Sequence, residues 1–222
     1  MLIRNLETVN EQIISCTRLN ERDLNEIKLI GVSKKKPVEM IMEAFEAGLK
    51  DFGENYVEEF VSKQTKYHPA GLNYHFIGRL PTKKVRKVVG KAQLIHSVDS
   101  LKLASKIDFV ASEEKVCQDI LIQLNQGNES SKSGIEVIEI EKLFKSILSL
   151  SNIKIKGLMS IPPFNKNARD YFFELREIRD FLEIKFEMEL PFLSMGMSGD
   201  FEDAIAEGAT HIRVGTSIFG SR

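Results

Sequence analysis

Eight short apolar runs, each followed by a segment with helical periodicity, repeat along this chain from residue 28 onward. Each run has the length of a strand, and the intervening segments place apolar residues three and four positions apart. The predicted strands are Leu29–Ser33, Asp51–Gly53, Tyr74–Gly78, Leu94–Val98, Ile120–Asn125, Ile155–Ser160, Phe192–Gly196 and Thr210–Val214. Eight such units in about 200 residues predict a (β/α)8 barrel, with an open doubly wound sheet as the alternative.

Helices are predicted between these strands and once before them. An apolar stripe from Leu2 to Cys16 predicts an extra N-terminal helix. Ser97 or Asp99 is expected to cap the helix that begins near Leu101. The clearest helices between strands are Val38–Ala47, Tyr56–Gln64, Val137–Leu150 and Arg169–Phe181. No linker composition interrupts this pattern, so residues 1–222 are predicted to form one domain.

Composition and charge exclude several classes of protein. Of the 222 residues, 42% are hydrophobic, and the net charge of −1 gives no general attraction to nucleic acid or anionic membranes. No apolar run reaches transmembrane length, and the charged N-terminal segment is unlike a secretory leader. Cys16 and Cys117 stand alone, as is typical of a reducing compartment. The sequence therefore predicts a cytoplasmic protein with no nucleic-acid or membrane partner.

Two turns of small residues near the C-terminus predict an anion site. One lies within Met195–Asp200, where it opens a helix, and the other lies within His211–Ser217. Backbone N–H groups at such turns are free, and a helix dipole adds partial positive charge. The loops after the last two strands of a barrel commonly bind phosphate. The candidate phosphate ligands are Ser198, Gly199, Gly215 and Thr216. The alternative is a pair of ordinary turns.

Two cationic side chains could act on such a ligand. Lys34 ends the first strand and shares the parity of Ile30 and Val32, so it could point inward and form a Schiff base with an aldehyde. Local sequence alone favours the alternative, which is a solvated run of three lysines. Arg213, at the end of the last strand, could bind a ring nitrogen or a phosphate, or form a salt bridge at the rim.

Other polar residues have structural explanations on local grounds. Asn55 is expected to cap the helix that follows it, although it could also donate to a ligand. His75 lies in an apolar strand, where a packed, hydrogen-bonded histidine is more common than a ligand. The four histidines lack metal-ligand spacing, so no metal site is predicted. The basic segment from Arg79 to Lys87 could meet an anionic partner, but a solvated face is the usual explanation.

Several segments, taken in chain order, match one family. They are Val32–Lys34 with Pro37, Phe52–Val57, His75–Gly78, His96–Asp99, Ser131–Gly134, Gly157–Met159, Gly196–Ser198 and Arg213–Thr216 with Phe219-Gly220. The chain resembles the pyridoxal 5′-phosphate homeostasis proteins, which are similar to the barrel domain of alanine racemase standing alone. The resemblance implies an alanine racemase N-terminal-domain-like TIM barrel that holds pyridoxal 5′-phosphate (PLP) as an internal aldimine.

The same resemblance assigns roles to individual residues. Lys34, rather than Lys35 or Lys36, is the lysine that forms the aldimine. Arg213 faces the pyridine nitrogen, and because a guanidinium stays protonated, the ring is a weaker electron sink. The residues that would hold the phosphate are Ser198, Gly199, Gly215 and Thr216, and those that would line the ring pocket are Asn55, His75 and Met159.

The chain departs from the family pattern in the loop after the third strand. Pro81 and Lys83 stand where the family usually has Gln and Asn, whereas Lys84 keeps the family lysine. The contacts that those two amides make at the rim are therefore not expected here. We do not expect the departure to affect the main cofactor pocket.

Three kinds of function stay open beside the resemblance. Because nothing follows Arg222, we expect no second domain and no second acid–base group of the kind that racemisation needs. This favours a non-catalytic monomer that serves vitamin B6 homeostasis and could supply PLP to PLP-dependent apoenzymes. The alternatives are a PLP-dependent enzyme with weak racemase or lyase activity on small amino acids, a barrel enzyme for a phosphorylated metabolite, and an interaction module that uses the basic face 83–87.

Overall fold

A computed structural model describes residues 1–127, 133–163 and 166–221, and its strands form a closed parallel barrel. Each strand pairs with the next, and the last pairs with the first. The strands are β1 Lys28–Val32, β2 Asp51–Glu54, β3 Asn73–Phe76, β4 Leu94–Val98, β5 Gln118–Leu124, β6 Ile153–Ser160, β7 Phe192–Met197 and β8 His211–Val214. The predicted (β/α)8 barrel is confirmed, and closure excludes the open sheet.

Helices cover the outside of the barrel. They are α1 Leu2–Leu19, α2 Val38–Glu46, α3 Val57–Lys66, α4 Leu101–Glu113, α5 Ile140–Ile147, α6 Ala168–Phe186, α7 Phe201–Ala206 and α8 Thr216–Phe219. The predicted N-terminal helix α1 is present and packs against α2, α7 and α8. Within the described ranges, none of the helices combines the length and the apolar character needed to cross a bilayer.

Two helical segments differ from the sequence-based expectation. The basic segment after β3 forms a 3₁₀ helix, Thr82–Lys87, rather than an α-helix. It begins after Pro81, and the β-branched residues Thr82, Val85 and Val88 lower its α-helical propensity. The predicted helix 137–150 divides into a 3₁₀ turn, Val137–Glu139, followed by α5.

The cap of α4 also differs from the expectation. Ser100 is the cap residue, and its hydroxyl accepts a hydrogen bond from the Leu103 N–H at 3.4 Å. The predicted cap by Ser97 or Asp99 is therefore wrong. Ser97 lies within β4, because the strand runs on to Val98 and leaves only a short connection to the helix.

The barrel has an apolar outer core and an unusually polar interior. Between the sheet and α3, Phe60 packs edge-on against Tyr74 and Phe76. Branched apolar side chains usually fill the inside of such a barrel. Here the buried polar residues from the strands include Asp51, His75, His96, Ser194, His211 and Arg213, beside the apolar group Leu94, Leu121 and Met159. These polar residues extend through the barrel to Arg213, near the C-terminal ends of the strands.

Candidate functional site

The segment after β1 presents Lys34 at the C-terminal end of the barrel. Lys34 is half-buried in a turn that the Lys36 N–H closes by donating to the Ser33 carbonyl at 3.0 Å. Lys35 follows with a φ of 61°, a left-handed conformation that costs a residue other than glycine about 1–2 kcal/mol. The Lys35 N–H donates to Glu59 Oε1 at 2.6 Å, which holds this backbone in place.

A buried ion-pair cluster supports both flanks of this turn. Lys63 of α3 is 5% exposed, and its Nζ donates to the Ser33 carbonyl and to Glu54 Oε1, each at 2.7 Å. The same Nζ reaches Glu59 Oε1 at 3.0 Å, and the Ser33 hydroxyl donates to Glu54 Oε1 at 2.6 Å. The cluster ties α3 to the ends of β1 and β2, on both sides of Lys34. We name Glu54, Glu59 and Lys63 the clamp.

The clamp is a feature next to Lys34 that sequence reasoning missed. Glu59 and Lys63 are four residues apart, a spacing that usually indicates an exposed pair on a helix surface. Burial raises the pKa of the Glu54 carboxyl, because the charge and the hydrogen bond of Lys63 offset only part of the desolvation. No local pattern in the sequence indicates that this pair lies beneath the turn of Lys34.

The two small-residue turns lie side by side at the ends of β7 and β8. The Gly215 N–H donates to Ser198 Oγ at 3.2 Å and joins them. As predicted, the first turn opens a helix, α7, and the second also opens one, α8. Gly199 and Thr216 are exposed at these helix starts. A Cβ added at Gly215 would lie 3.4 Å from the Val32 carbonyl oxygen, so the turns adjoin the end of β1.

Arg213 lies inside the barrel, two residues before the second turn. Its Nη1 donates to Ser194 Oγ at 2.6 Å, and its Nη2 donates to the Ser160 carbonyl at 2.9 Å. Both acceptors are uncharged oxygens, whereas the alternative prediction, a salt bridge at the rim, requires a carboxylate. Burial lowers the pKa of Arg213 to about 10, with Asp200 acting in the opposite direction, so the guanidinium stays charged at neutral pH.

A chain of hydrogen bonds runs from Arg213 through the barrel. Ser194 Oγ contacts His96 Nδ1 at 2.8 Å, His96 Nε2 contacts His75 Nδ1 at 3.0 Å, and His75 Nε2 contacts Asp51 Oδ1 at 2.9 Å. Burial lowers the pKa of both histidines, so both rings are neutral near pH 7. The interpretation of His75 as a packed, hydrogen-bonded residue is confirmed, and its place in the ring pocket stays a prediction.

Asn55 does not cap α3, so that local expectation is wrong. The cap position is Tyr56, which makes no side-chain cap bond. Within the described ranges, Asn55 Oδ1 and Ser160 Oγ are buried and have no hydrogen-bond partner. Buried polar atoms of this kind are costly unless another group pairs with them. Asn55 and Ser160 therefore fit a ligand that brings polar groups to the ends of β2 and β6.

Gly78 packs directly against the backbone of Asn55. A Cβ added at Gly78 would lie 2.1 Å from the Asn55 carbonyl oxygen and 2.6 Å from its Cα. We expect Gly78→Ala to displace Asn55 and to lower the free energy of unfolding by about 1–3 kcal/mol, as measured by urea denaturation. Gly199→Ala is the matched control, because a Cβ there meets nothing within 4 Å. Equal losses in both variants would contradict this packing argument.

The remaining sequence-predicted features are Met159, the segment Ser131–Gly134 and the absence of a metal site. Met159 packs inside the barrel and precedes Ser160, whose carbonyl binds Arg213. In the matching segment Ser131–Gly134, positions 131 and 132 lie outside the described residues. No group of His, Cys, Asp and Glu within residues 1–127, 133–163 and 166–221 is arranged to hold a metal ion.

The basic segment after β3 is largely paired with carboxylates. Lys84 and Lys87 contact Glu58 at 3.0 Å and 2.9 Å, and Arg86 contacts two carboxylates at the end of α4. Such exposed pairs stabilise a protein little, but they leave less positive charge for an anionic partner. The pairing supports a solvated face rather than an interaction module.

One arc of the barrel rim therefore carries the candidate ligand-binding groups. Strands β7, β8, β1 and β2 are neighbours in the closed barrel. Their C-terminal ends carry Ser198, Gly215, Lys34 and Asn55, and Arg213 lies inside the barrel just below them. The arc offers a primary amine, a fixed cation, and a pair of turns rich in N–H and hydroxyl donors. This donor set suits a ligand with an aldehyde, an aromatic nitrogen and a phosphate.

Comparisons with known proteins agree with this fold. The family model of the alanine racemase N-terminal domain matches residues 19–222. The pyridoxal phosphate homeostasis protein of Aquifex aeolicus is 46% identical over 220 residues, which cover 98% of this chain and 96% of that protein. The PLP-bound structure of PipY from Synechococcus elongatus superposes with a TM-score of 0.88 at 33% identity, covering 99% of this chain and 100% of that one.

A more distant structural relative shows how the fold is shared. Alanine racemase of Clostridium difficile superposes with a TM-score of 0.76 at 14% identity. The match covers 99% of this chain but 57% of the racemase chain. At this level of identity the likeness concerns the barrel alone.

Proposed function

The chain belongs to the alanine racemase N-terminal domain family, together with the pyridoxal phosphate homeostasis proteins, and from this premise we propose that it binds PLP at Lys34 and serves PLP homeostasis. The observation that carries the proposal is the arc of rim groups on β7, β8, β1 and β2. The buried, unpartnered Asn55 Oδ1 supports it, because a polar ligand would pair with this atom. When bound, PLP would supply a reactive aldehyde that bonds reversibly to an amine.

Each residue of the arc has a distinct part in this proposal. The Lys34 amine provides the covalent attachment point. Ser198 and Thr216 supply hydroxyl donors, and Gly199 and Gly215 allow their turns to approach a phosphate closely. These groups would orient the cofactor with its phosphate over the ends of β7 and β8.

Arg213 supports a holding role rather than catalytic turnover. Its guanidinium faces the ring nitrogen in this proposal and remains protonated, since its pKa of about 10 lies well above neutral pH. It therefore cannot transfer a proton to the ring as a carboxylic acid would, and the electron-withdrawing power of the ring stays low. This supports a protein that stores and releases PLP with little or no turnover.

The proposal also includes the cellular compartment, the oligomeric state and the partners of the protein. We expect a cytoplasmic monomer that passes PLP to PLP-dependent apoenzymes. Cys16 is buried and Cys117 is exposed, and neither forms a disulfide, which supports a reducing compartment.

Replacing Lys34 with alanine is expected to abolish covalent attachment of PLP, because Lys34 provides the covalent attachment point in this proposal. The purified protein is incubated with PLP, reduced with borohydride and digested, and the peptides are mapped by mass spectrometry. The wild type should carry a pyridoxyl group on Lys34, and Lys34→Ala should carry none in that peptide.

The matched control for this experiment is Lys35→Asn. It removes the neighbouring amine, and asparagine tolerates the left-handed backbone at this position better than most residues. The control should keep the wild-type adduct. An adduct confined to Lys35 or Lys36, or no adduct in the wild type, would overturn the proposal and leave a barrel that binds some other phosphate.

A further inference from the structure

We propose that Asp51, His75, His96 and Ser194 are positioning residues, which set the orientation of Arg213 through a hydrogen-bond chain with one fixed direction. The effect on PLP rests on the function proposed above, whereas the chain is a property of the protein alone. Each link joins buried atoms of different strands, from β2 through β3, β4 and β7 to β8.

The two ends of the chain determine its direction. A guanidinium has no acceptor, so Arg213 must donate to Ser194 Oγ. An ionised carboxylate has no donor, so Asp51 must accept from His75 Nε2. Burial alone would raise the pKa of Asp51, but the hydrogen bond and charge of His75, together with Lys28 and Asn73, lower it. Asp51 is therefore an obligate acceptor.

The links between these ends then have a single consistent arrangement. A neutral His75 that donates through Nε2 accepts at Nδ1, so His96 donates to it through Nε2. A neutral His96 accepts in turn at Nδ1, so the Ser194 hydroxyl donates its proton there. Every proton of the chain thus points toward Asp51, and both histidines are in the Nε2–H form.

This arrangement has a consequence for Arg213. Because the Ser194 proton is committed to His96, the lone pairs of the Ser194 oxygen face Nη1 of Arg213. The Ser160 carbonyl holds Nη2 at 2.9 Å. Two contacts fix the plane of a rigid guanidinium and leave its other donors available. The chain therefore orients the side chain that faces the ring nitrogen in the proposed complex.

The first test concerns the chain without any cofactor. We expect ¹⁵N NMR of histidine-labelled protein near pH 7 to show His75 and His96 as neutral Nε2–H tautomers. Asp51→Asn removes the obligate acceptor and should leave both rings as tautomer mixtures, whereas Ser194→Ala removes only the donor to His96 Nδ1 and should shift that nitrogen's resonance while both tautomers stay unchanged. A wild-type protein with a cationic ring, or with either proton on Nδ1, would overturn the proposed direction.

The second test asks whether the far end of the chain affects the cofactor. Asp51 lies four hydrogen bonds from Arg213. We expect Asp51→Asn to weaken PLP binding about tenfold, the effect of losing one charge-assisted hydrogen bond. The absorption band of bound PLP should also shift. Unchanged affinity and an unchanged band, despite mixed tautomers, would overturn the positioning role.

The matched control is His211→Gln, which changes a buried histidine beside the chain. The His211 ring lies 6.1 Å from the His75 ring and 5.9 Å from the His96 ring, and its Nδ1 contacts Thr210 instead of a chain member. It should lose packing but keep the tautomers and the absorption band. An equal band shift in this control would show a merely structural effect and overturn the proposal.

These measurements also distinguish a variant that fails to fold from a protein that binds no PLP. If Asp51→Asn does not fold, Ser194→Ala and Ser194→Thr form a second pair, in which threonine keeps the hydroxyl. Threonine should restore both the ¹⁵N resonance of His96 Nδ1 and the absorption band, and failure to restore either would overturn the positioning role. If the wild type binds no PLP, the proposed function fails, while the NMR result still decides whether the chain exists.

Discussion

Lys63→Met is expected to lower the free energy of unfolding by about 3–5 kcal/mol, because it leaves a buried carboxylate without its partner. Glu54 would lose its 2.7 Å contact with Nζ, and the Ser33 carbonyl would lose a donor. A loss of this size is a large part of the about 5–15 kcal/mol that stabilises a typical domain. Urea denaturation of the two proteins measures it directly.

The same variant should respond differently to pH. Burial raises the pKa of Glu54 above its value in the unfolded chain, so the folded state binds more protons and stability falls as pH rises through this interval. Lys63 provides the main effects that lower this pKa, and its removal should raise the pKa further. The stability lost in Lys63→Met should therefore be smaller at acidic pH than at pH 7.

The control for the clamp is Lys66→Met, an exposed lysine on the same helix. It changes the net charge equally and should leave stability within about 0.5 kcal/mol of the wild type. A Lys63→Met protein as stable as this control, or one whose loss is independent of pH, would contradict the role of the clamp. We also expect less borohydride adduct on Lys34 in Lys63→Met, because the clamp holds both flanks of that turn.

Gly157→Ala is expected to lower the free energy of unfolding by more than about 3 kcal/mol, through a clash between neighbouring strands. A Cβ at Gly157 would lie 1.8 Å from the Phe192 carbonyl oxygen, and the φ of 152° adds backbone strain. Gly157 pairs with Phe192 in the β6–β7 register, so relieving the clash means separating two strands of a closed barrel. Thermal and urea unfolding both measure this loss.

Gly48→Ala separates the two causes. Gly48 has a φ of 104°, but an added Cβ would meet nothing within 4 Å, so this variant carries backbone strain without a clash. We expect it to lose about 1 kcal/mol, well below the loss of Gly157→Ala. Similar losses in the two variants would show that strain, rather than strand separation, decides the cost at Gly157.

The ends of the strands could be predicted closely because buried strands appear in the sequence as short apolar runs. The prediction Leu94–Val98 for β4 is correct to the residue, and the other seven strands lie within two residues of their predicted ends. The misses involve connections, where few residues decide the outcome. The cap of α4 lies at Ser100, because β4 runs on to Val98 and leaves a short connection. The segment 82–87 is a 3₁₀ helix, because it begins after Pro81 and contains β-branched residues.

The sequence by itself determined the barrel, its N-terminal helix and the two small-residue turns, since each depends on neighbours within a few positions. Only the tertiary structure decided which polar side chains meet. His75, His96 and His211 look scattered along the chain, yet barrel closure brings their rings within about 6 Å of one another. Lys63 has a spacing from Glu59 that is typical of an exposed pair, yet it is buried against the Ser33 carbonyl and Glu54. The closure of the sheet decides which side chains of distant strands form hydrogen bonds, and a local sequence pattern does not predict these pairs.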